Sequence, residues 1–357
     1  MYPDFYGNEP NPGNSSQFLA TYTQKEIYNL VQKVFVDFKE SYPVDASPLF
    51  AFRPVPMHTG VIKRYDQKDF STYASAKPEG APSKRAKYGT GFHKDVILKR
   101  IALELVLTYE AIQYDQWDDV KAIGTELGKT APQRINLDMT HLAITFAQGV
   151  SYVDMDGYQI DTTTGDGQPI ASAAHELAFS TLTYTNILPG APAFSKSALI
   201  SAETIARNNT MDNYGIPKGY NWTHIWCSGD PNNTENIMQF LKSISDNTQA
   251  NPNVENTYRR RYKMLALEQL DTNVFGQRDT TKSNWWGIGA FEGDITSGKR
   301  FAAIYSQWEA PHMKPAPTES NNASDFSRDI QKFGIRAGYG LCALDGMGIV
   351  YSFVPNN

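Results

Sequence analysis

The sequence predicts an α+β fold on three observations. Apolar residues alternate along several short stretches, they recur at steps of three and four along others, and the two kinds of stretch are interleaved without forming a repeating βαβ series. A chain of 357 residues is long enough for one large or two modest domains. With 41% hydrophobic and 20% charged residues, 20 Tyr and 18 Phe, its composition is that of a folded protein and argues against disorder. A formal net charge of −5 disfavours nonspecific attraction to phosphates or to an anionic membrane surface. No run approaches the roughly 20 apolar residues of a membrane span, and the polar stretch from Met1 to Pro12 has no signal-peptide pattern, which reads as a protein made and kept in the cytoplasm.

Taken in order, Met1 to Phe50 opens with Asn, Pro and Gly and then carries Ile27, Leu30, Val31, Val34 and Phe38 at helical spacing, an arm with a short amphipathic helix. Arg53 to Asp95 is rich in Lys, Gly, Pro, Ser and Tyr, with broken alternation from Val61 to Tyr65 and turn signals from Lys77 to Ser83. Folded as a hairpin, its arms of roughly 15 residues would reach about 50 Å, too far to fold back onto a small core. Ile101, Leu103, Leu105 and Leu107 then alternate with other residues and open a sheet.

The longest helical pattern follows. Val120, Ile123, Leu127, Ala131, Ile135, Met139, Leu142, Phe146 and Val150 keep their spacing for about 30 residues, roughly 45 Å of helix. Pro132 within it predicts a bent or two-piece helix, eased by Gly128 four residues earlier. Ser195 caps a helix that buries Leu199, Ala202, Ile205 and Ala206, with a stop signal at Gly215-Ile216-Pro217. After a strand from Trp222 to Cys227, Asp230-Pro231 opens a helix with Ile237, Met238, Leu241 and Ile244 inward. Asn247 to Asn256 reads as a loop, and Met264 to Leu270, Trp285 to Phe291, Phe301 to Trp308 and Ile330 to Leu341 read as strands.

Motifs for chemistry are missing. There is no phosphate loop, nucleophile elbow, zinc helix or Cys-x-x-Cys pair, and nothing calls for a cofactor or a metal. Gly124 to Thr130 resembles a phosphate loop but is one residue short and lies inside a helical pattern. Cys227 and Cys342 read as reduced, partly buried thiols. A hydrolase reading would make His175 a general base near Ser172 with Asp166 orienting it. A hydrogen-bonded structural histidine is the favoured reading. Asp154, Asp156, Asp161 and Asp166 lack the spacing of a calcium loop and read as solvated turns. Trp285-Trp286 reads as a core or interface anchor rather than a carbohydrate platform, and Arg259-Arg260-Arg261 as a surface patch or ion-pairing run.

Three passages carry a resemblance: Tyr88-Gly89-Thr90-Gly91-Phe92 leading through the Ile101 strand to Tyr109-Glu110-Ala111-Ile112; Gly165-Asp166-Gly167-Gln168-Pro169-Ile170-Ala171-Ser172-Ala173-Ala174-His175 with Thr185-Asn186; and Ile330, Lys332, Arg336, Gly338, Tyr339, Gly340, Asp345, Gly348, Ile349 and Tyr351. Together they resemble the Hong Kong 97-type fold of tailed-bacteriophage major capsid proteins. Glu176 departs from the proline that relatives often carry after the histidine, and more residues than usual separate Trp117 from Asp154.

The resemblance implies an N-terminal arm at 1–52, an extended loop at 53–95, and a peripheral domain with a long spine helix at 96–155. It implies an axial domain at 156–299 and a return to the peripheral domain at 300–357. It implies a virion shell subunit, not an enzyme, that self-assembles in the host cytoplasm into pentamers and hexamers forming an icosahedral head around double-stranded DNA. Scaffolding, portal and decoration or cement proteins would be its partners, and DNA would be touched only nonspecifically. The other readings are a soluble hydrolase using His175, or a minor virion or carbohydrate-binding protein. Charge supports the first independently. Arg53 to Asp95 holds nine Lys/Arg and four Asp/Glu, a net of +5, which leaves −10 for the rest of a chain whose total is −5. Lys63, Arg64, Lys68, Lys77, Lys84, Arg85 and Lys87 are therefore the candidate inter-subunit contacts.

Overall fold

The computed structural model describes residues 24–56, 60–71, 74–85, 87–108, 117–244, 255–291, 303–313 and 330–355. It begins with α1 (Gln24–Ser41), β1 (Phe50–Pro54), β2 (Ile62–Ser71), β3 (Lys87–Ile97), β4 (Lys99–Thr108) and α2 (Trp117–Thr140). Next come β5 (Ser151–Val153), β6 (Gln159–Asp161), β7 (His175–Leu177), β8 (Ser180–Tyr184), α3 (Lys196–Asn208), β9 (His224–Ser228) and α4 (Pro231–Lys242). The chain continues with β10 (Lys263–Leu267), β11 (Trp286–Gly289), β12 (Ala303–Met313), β13 (Ile330–Ala343) and β14 (Ile349–Ser352). The strands join as β1-β12-β13-β4, as β10-β9-β11-β14, and as the hairpins β2-β3, β5-β6 and β7-β8. Helices and strands are interleaved in a mixed α+β architecture. The chain divides into two compact units, one of Met1–Pro43, Arg100–Arg134 and Glu309–Gly338, the other of Val44–Lys99, Ile135–Trp308 and Tyr339–Asn357.

The smaller unit is organised by helix packing. Val31 and Phe35 of α1 meet Leu127 and Ala131 of α2, together with Met313, Phe333 and Ile335, and with Ile101 and Leu105 partly buried beside them. This is the apolar spacing of both helical patterns put to use. Gly124 makes the close approach possible, because a Cβ there would stand 3.2 Å from the Val31 carbonyl and from Val34. The apparent phosphate-loop glycine is thus a packing glycine. The side chains of Ile27, Leu30 and Phe38 and the chain before Gln24 lie outside the described residues.

Of the two alternatives expected at Pro132, the two-piece helix does not form, since α2 is one continuous helix of 24 residues. The proline ring faces the carbonyl of Gly128, which has no Cβ to add crowding. It also ends earlier than Val150: the bonding widens into a π turn at His141–Thr145, and the Phe146 amide donates to the His141 carbonyl at 3.0 Å.

In the larger unit, β9 lies parallel to β10 and antiparallel to β11, and β11 is antiparallel to β14. α3 and α4 contribute Leu199, Ala202, Ala206, Ile237 and Leu241 to a core with Ile225, Cys227, Trp286, Ile288 and Val350. Both caps form as the sequence indicates. Ser195 Oγ accepts from the Ala198 amide at 3.2 Å, and Asp230 accepts from the Asn232 amide at 2.9 Å ahead of Pro231. Met238 and Ile244, expected inward, are 36% and 68% exposed. The reason is that α4 ends at Lys242, so Ile244 leaves the face that Ile237 and Leu241 share. At Gly287 a Cβ would collide with the Val350 carbonyl and the Trp226 ring, so the centre of this sheet tolerates only glycine there.

Candidate functional site

The basic segment folds as the β2-β3 hairpin, with Ile62 opposite Ile97, Arg64 opposite Asp95 and Asp66 opposite His93. Because side chains alternate, each strand presents two faces. One face is seated on its own unit. Tyr65 OH lies 2.8 Å from Ser306 Oγ, Gln67 Nε2 donates to the Leu344 carbonyl at 3.0 Å, and Lys94 Nζ reaches Asp161 and Thr163 at 2.6 Å each. Val96 packs with Ile304, Cys342 and Leu344. Between the pairs Asp66–His93 and Lys68–Thr90, β3 advances by one residue more than β2, a bulge beside the buried Gln67.

The strands are ten and eleven residues long, about 35 Å at strand rise. The paired strands account for about 35 Å of the expected reach of about 50 Å, and their root rests on the body. Its connection is different: residues 74–85 are exposed except for the half-buried Ala81.

The cations divide accordingly. Arg64 forms a two-pronged pair with Asp95 at 2.8 and 2.9 Å within the hairpin. Lys94 is committed inward. Lys63, Lys68, Lys77, Lys84 and Arg85 have no hydrogen-bond or ion-pair partner among the described residues. The Lys87 side chain lies outside the described residues.

The Gly165-to-His175 motif builds a buried polar hub. Asp166 Oδ1 accepts from Thr164 Oγ1 and from the Gln168 amide, and Asp166 Oδ2 accepts from His175 Nδ1 at 2.8 Å and from the Glu176 amide at 3.2 Å. His175 is fully buried, stacks on Tyr184 at 4.8 Å and turns Nε2 to the Ile170 carbonyl at 3.2 Å. Asn186 Nδ2 donates to the carbonyls of Ile170 at 2.7 Å and Gly346 at 3.1 Å, while its Oδ1 accepts from the Ser172 amide at 2.9 Å. The Gly165 amide donates to the Leu344 carbonyl at 3.0 Å. Ser172 Oγ accepts from the Ala174 amide instead of facing the imidazole. The Ser172, His175 and Asp166 triad is not assembled, and His175 is a structural residue holding loop to sheet.

The aspartate run matches the solvated turns of the sequence reading only in part: Asp156 and Asp161 are exposed, but Asp154 is not. Asp154 is buried with Lys99 Nζ at 3.1 Å, the same ammonium lies 2.7 Å from Asp138, and Tyr339 OH donates to Asp138 at 2.6 Å. Polar backbone groups alone do not explain this burial, and the cation was the unread signal, since a lone lysine carries no motif. No group of three or more His, Cys, Asp or Glu side chains is placed to hold a metal among the described residues.

Burial pushes the carboxyls of Asp166, Asp154 and Asp161 up, yet hydrogen bonds outweigh it and hold all three below the ordinary value of 3.8. For Asp166 the bonds come from His175 and Thr164, for Asp154 from the Tyr158 amide and Lys99, and for Asp161 from Lys94 and Thr163. A depressed folded value gives stability that is complete above the unfolded value and lost as pH falls through the folded one. Urea unfolding should therefore show constant contributions from these groups above about pH 5 and a progressive loss below about pH 4. Stability that rises on acidification through that window would contradict the assignment.

No curated protein matches the chain. Among solved structures it is similar to one from Mycobacterium phage Adephagia, at 9% identity and a TM-score of 0.49, covering 88% of this chain and 90% of that one. It is similar to the capsid structure of the cyanophage P-SCSP1u, at 11% identity and a TM-score of 0.48, covering 87% of each chain. The capsid of a native GTA particle gives 12% identity and a TM-score of 0.48, covering 88% of this chain and 91% of that one. The assignment rests on sequence instead: the family model described as phage capsid protein matches residues 94–352, well over half of the chain and including both the hub motif and the closing strands. The chain belongs to the phage capsid protein family and is a major capsid protein, a structural component of the virion.

Proposed function

We propose that copies of this chain assemble as pentamers and hexamers into the icosahedral head of a tailed bacteriophage around double-stranded DNA, with no catalytic role. The observation that supports this most is the β2-β3 hairpin, with five cations unpartnered among the described residues and three of them, Lys77, Lys84 and Arg85, on its exposed connection, borne by a chain whose remainder carries −10. A basic projection and an acidic body of the same chain are suited to joining one copy to the next, and head-to-tail contacts of that kind close into rings. In this reading residues 53–95 are the extended loop, 96–155 and 300–357 the peripheral domain with α2 as its spine, and 156–299 the axial domain. Scaffolding, portal and decoration proteins are its further partners, and packaged DNA is met only through weak, salt-sensitive contacts.

Deleting Thr59 to Lys87 would also remove Tyr65 and Gln67, which are seated on the body. The sharper test removes Ala74 to Arg85 and closes the hairpin with a two-residue turn. The variant should unfold within about 0.5 kcal/mol of the parent and form no closed shells. Normal particles from this variant, seen by electron microscopy, would refute the proposal.

A further inference from the structure

The run Arg259-Arg260-Arg261 is not one patch. Arg261 is engaged: its guanidinium lies 3.2 Å from Glu203 and over the rings of Tyr258 and Tyr262, at 5.4 and 5.5 Å from their centroids. Arg259 and Arg260 are exposed, and their side chains have no hydrogen-bond or ion-pair partner among the described residues. Both line an open-sided concavity of about 400 Å³, together with Glu255, Asn256 and Thr257.

The backbone that carries them is pinned. Asn256 is buried; its Nδ2 donates to the Phe240 carbonyl at 2.6 Å and lies 2.9 Å from Ser243 Oγ, while its Oδ1 accepts from the Tyr258 amide at 3.0 Å. The Arg259 amide donates to the Asn256 carbonyl at 3.1 Å, and the Arg260 amide to the Leu241 carbonyl at 3.2 Å. The second bond closes the turn on the end of α4 with Arg260 at a φ of 58°, in the left-handed region. Glycine takes that conformation freely, whereas a long side chain is strained there. A strained residue at a pinned position points to a use for its side chain. Support of the helix end does not account for it, since Lys242 already places a cation in the last turn of α4.

The chemistry narrows the ligand. Neighbouring guanidiniums opening on one concavity offer planar forks of N–H donors, the geometry that matches phosphate oxygens. None of the residues lining the concavity is aromatic, so a base would find no ring to stack on. We propose that the Arg259 and Arg260 turn is a binding site for a phosphate group, supplied as free phosphate or as a phosphodiester of nucleic acid.

The test titrates the purified full-length chain with inorganic phosphate at constant ionic strength, followed by broadening of the phosphorus resonance. A second arm titrates it with a short DNA duplex in phosphate-free buffer. Arg259→Gln with Arg260→Gly should weaken binding at least about tenfold in one arm or both, since two charge-assisted contacts are lost. Loss in the duplex arm alone assigns the site to phosphodiesters, and loss in the inorganic arm assigns it to free phosphate. Lys242→Gln removes an exposed cation that does not line the concavity, and should change either affinity less than about twofold. Arg260→Gly alone should leave the melting midpoint unchanged or raise it by up to about 2 °C, because strain is relieved. A midpoint that falls by more than about 2 °C would assign Arg260 to the fold instead. Equal affinities of parent and double variant in both arms would leave two solvated arginines. Either result overturns the proposal.

Discussion

Replacing Lys99 with methionine should destabilise the larger unit by about 3–5 kcal/mol, measured by urea unfolding near neutral pH. The ammonium lies between Asp138 at 2.7 Å and Asp154 at 3.1 Å, and those side chains are 4% and 2% exposed. Methionine fills similar space but leaves two buried carboxylates facing each other without the cation between them. Their repulsion and desolvation set the size of the loss, not the modest net worth of an ion pair. Adding Asp154→Asn to Lys99→Met should recover part of it, because one charge is then removed. A loss under about 1 kcal/mol for Lys99→Met would mean that water reaches the carboxylates and that the cluster contributes little.

Asn186→Ala should cost about 3 kcal/mol or more, read from the same denaturation measurement together with loss of amide protection at Ser172. The side chain is fully buried and serves two acceptors and one donor: the carbonyls of Ile170 and Gly346 and the amide of Ser172. Alanine leaves the Ser172 amide and the Gly346 carbonyl without this partner, and burial makes each such orphan expensive. Asn186→Asp should be at least as damaging despite its matching shape, since it sets an oxygen where Nδ2 now donates to two carbonyls. An aspartate variant as stable as the parent would show that the hub admits water.

What the sequence made legible is the part governed by local rules. Ser195 and Asp230 announce α3 and α4 because a cap is a local bond between a side chain and an amide two or three residues on. The long helical pattern is legible because Leu127, Ala131, Ile135 and Met139 share a buried face, and the strand at Ile101 because its residues alternate, with Ile101 and Leu105 partly buried. The π turn after Thr140 was not, since its wider bonding is imposed by packing around His141 and leaves no composition signal.

Short elements held by distant partners were also hidden. β1 owes its existence to the parallel pairing of Phe50–Pro54 with Ala303–Gln307, and β14 to pairing with β11, neither of which periodicity can reveal. The Gly165-to-His175 motif was visible as a motif but not as a hub, because its receiving groups at Leu344 and Gly346 lie far along the chain. Among the candidate cations Arg64 is engaged by Asp95, an opposition that only the strand register fixes.

The position of β14 in its sheet governs when the protein becomes competent. β9, β10 and β11 leave the ribosome before β14, yet β14 supplies the fully buried Val350 and Tyr351 and an antiparallel edge to β11. Until it emerges, the nascent chain displays β11 with an unpaired border and an apolar floor lacking its cover. An unpaired strand border over an uncovered apolar surface is what makes partly folded chains stick to one another, so the interval before β14 emerges is the one in which this fold is most open to clumping.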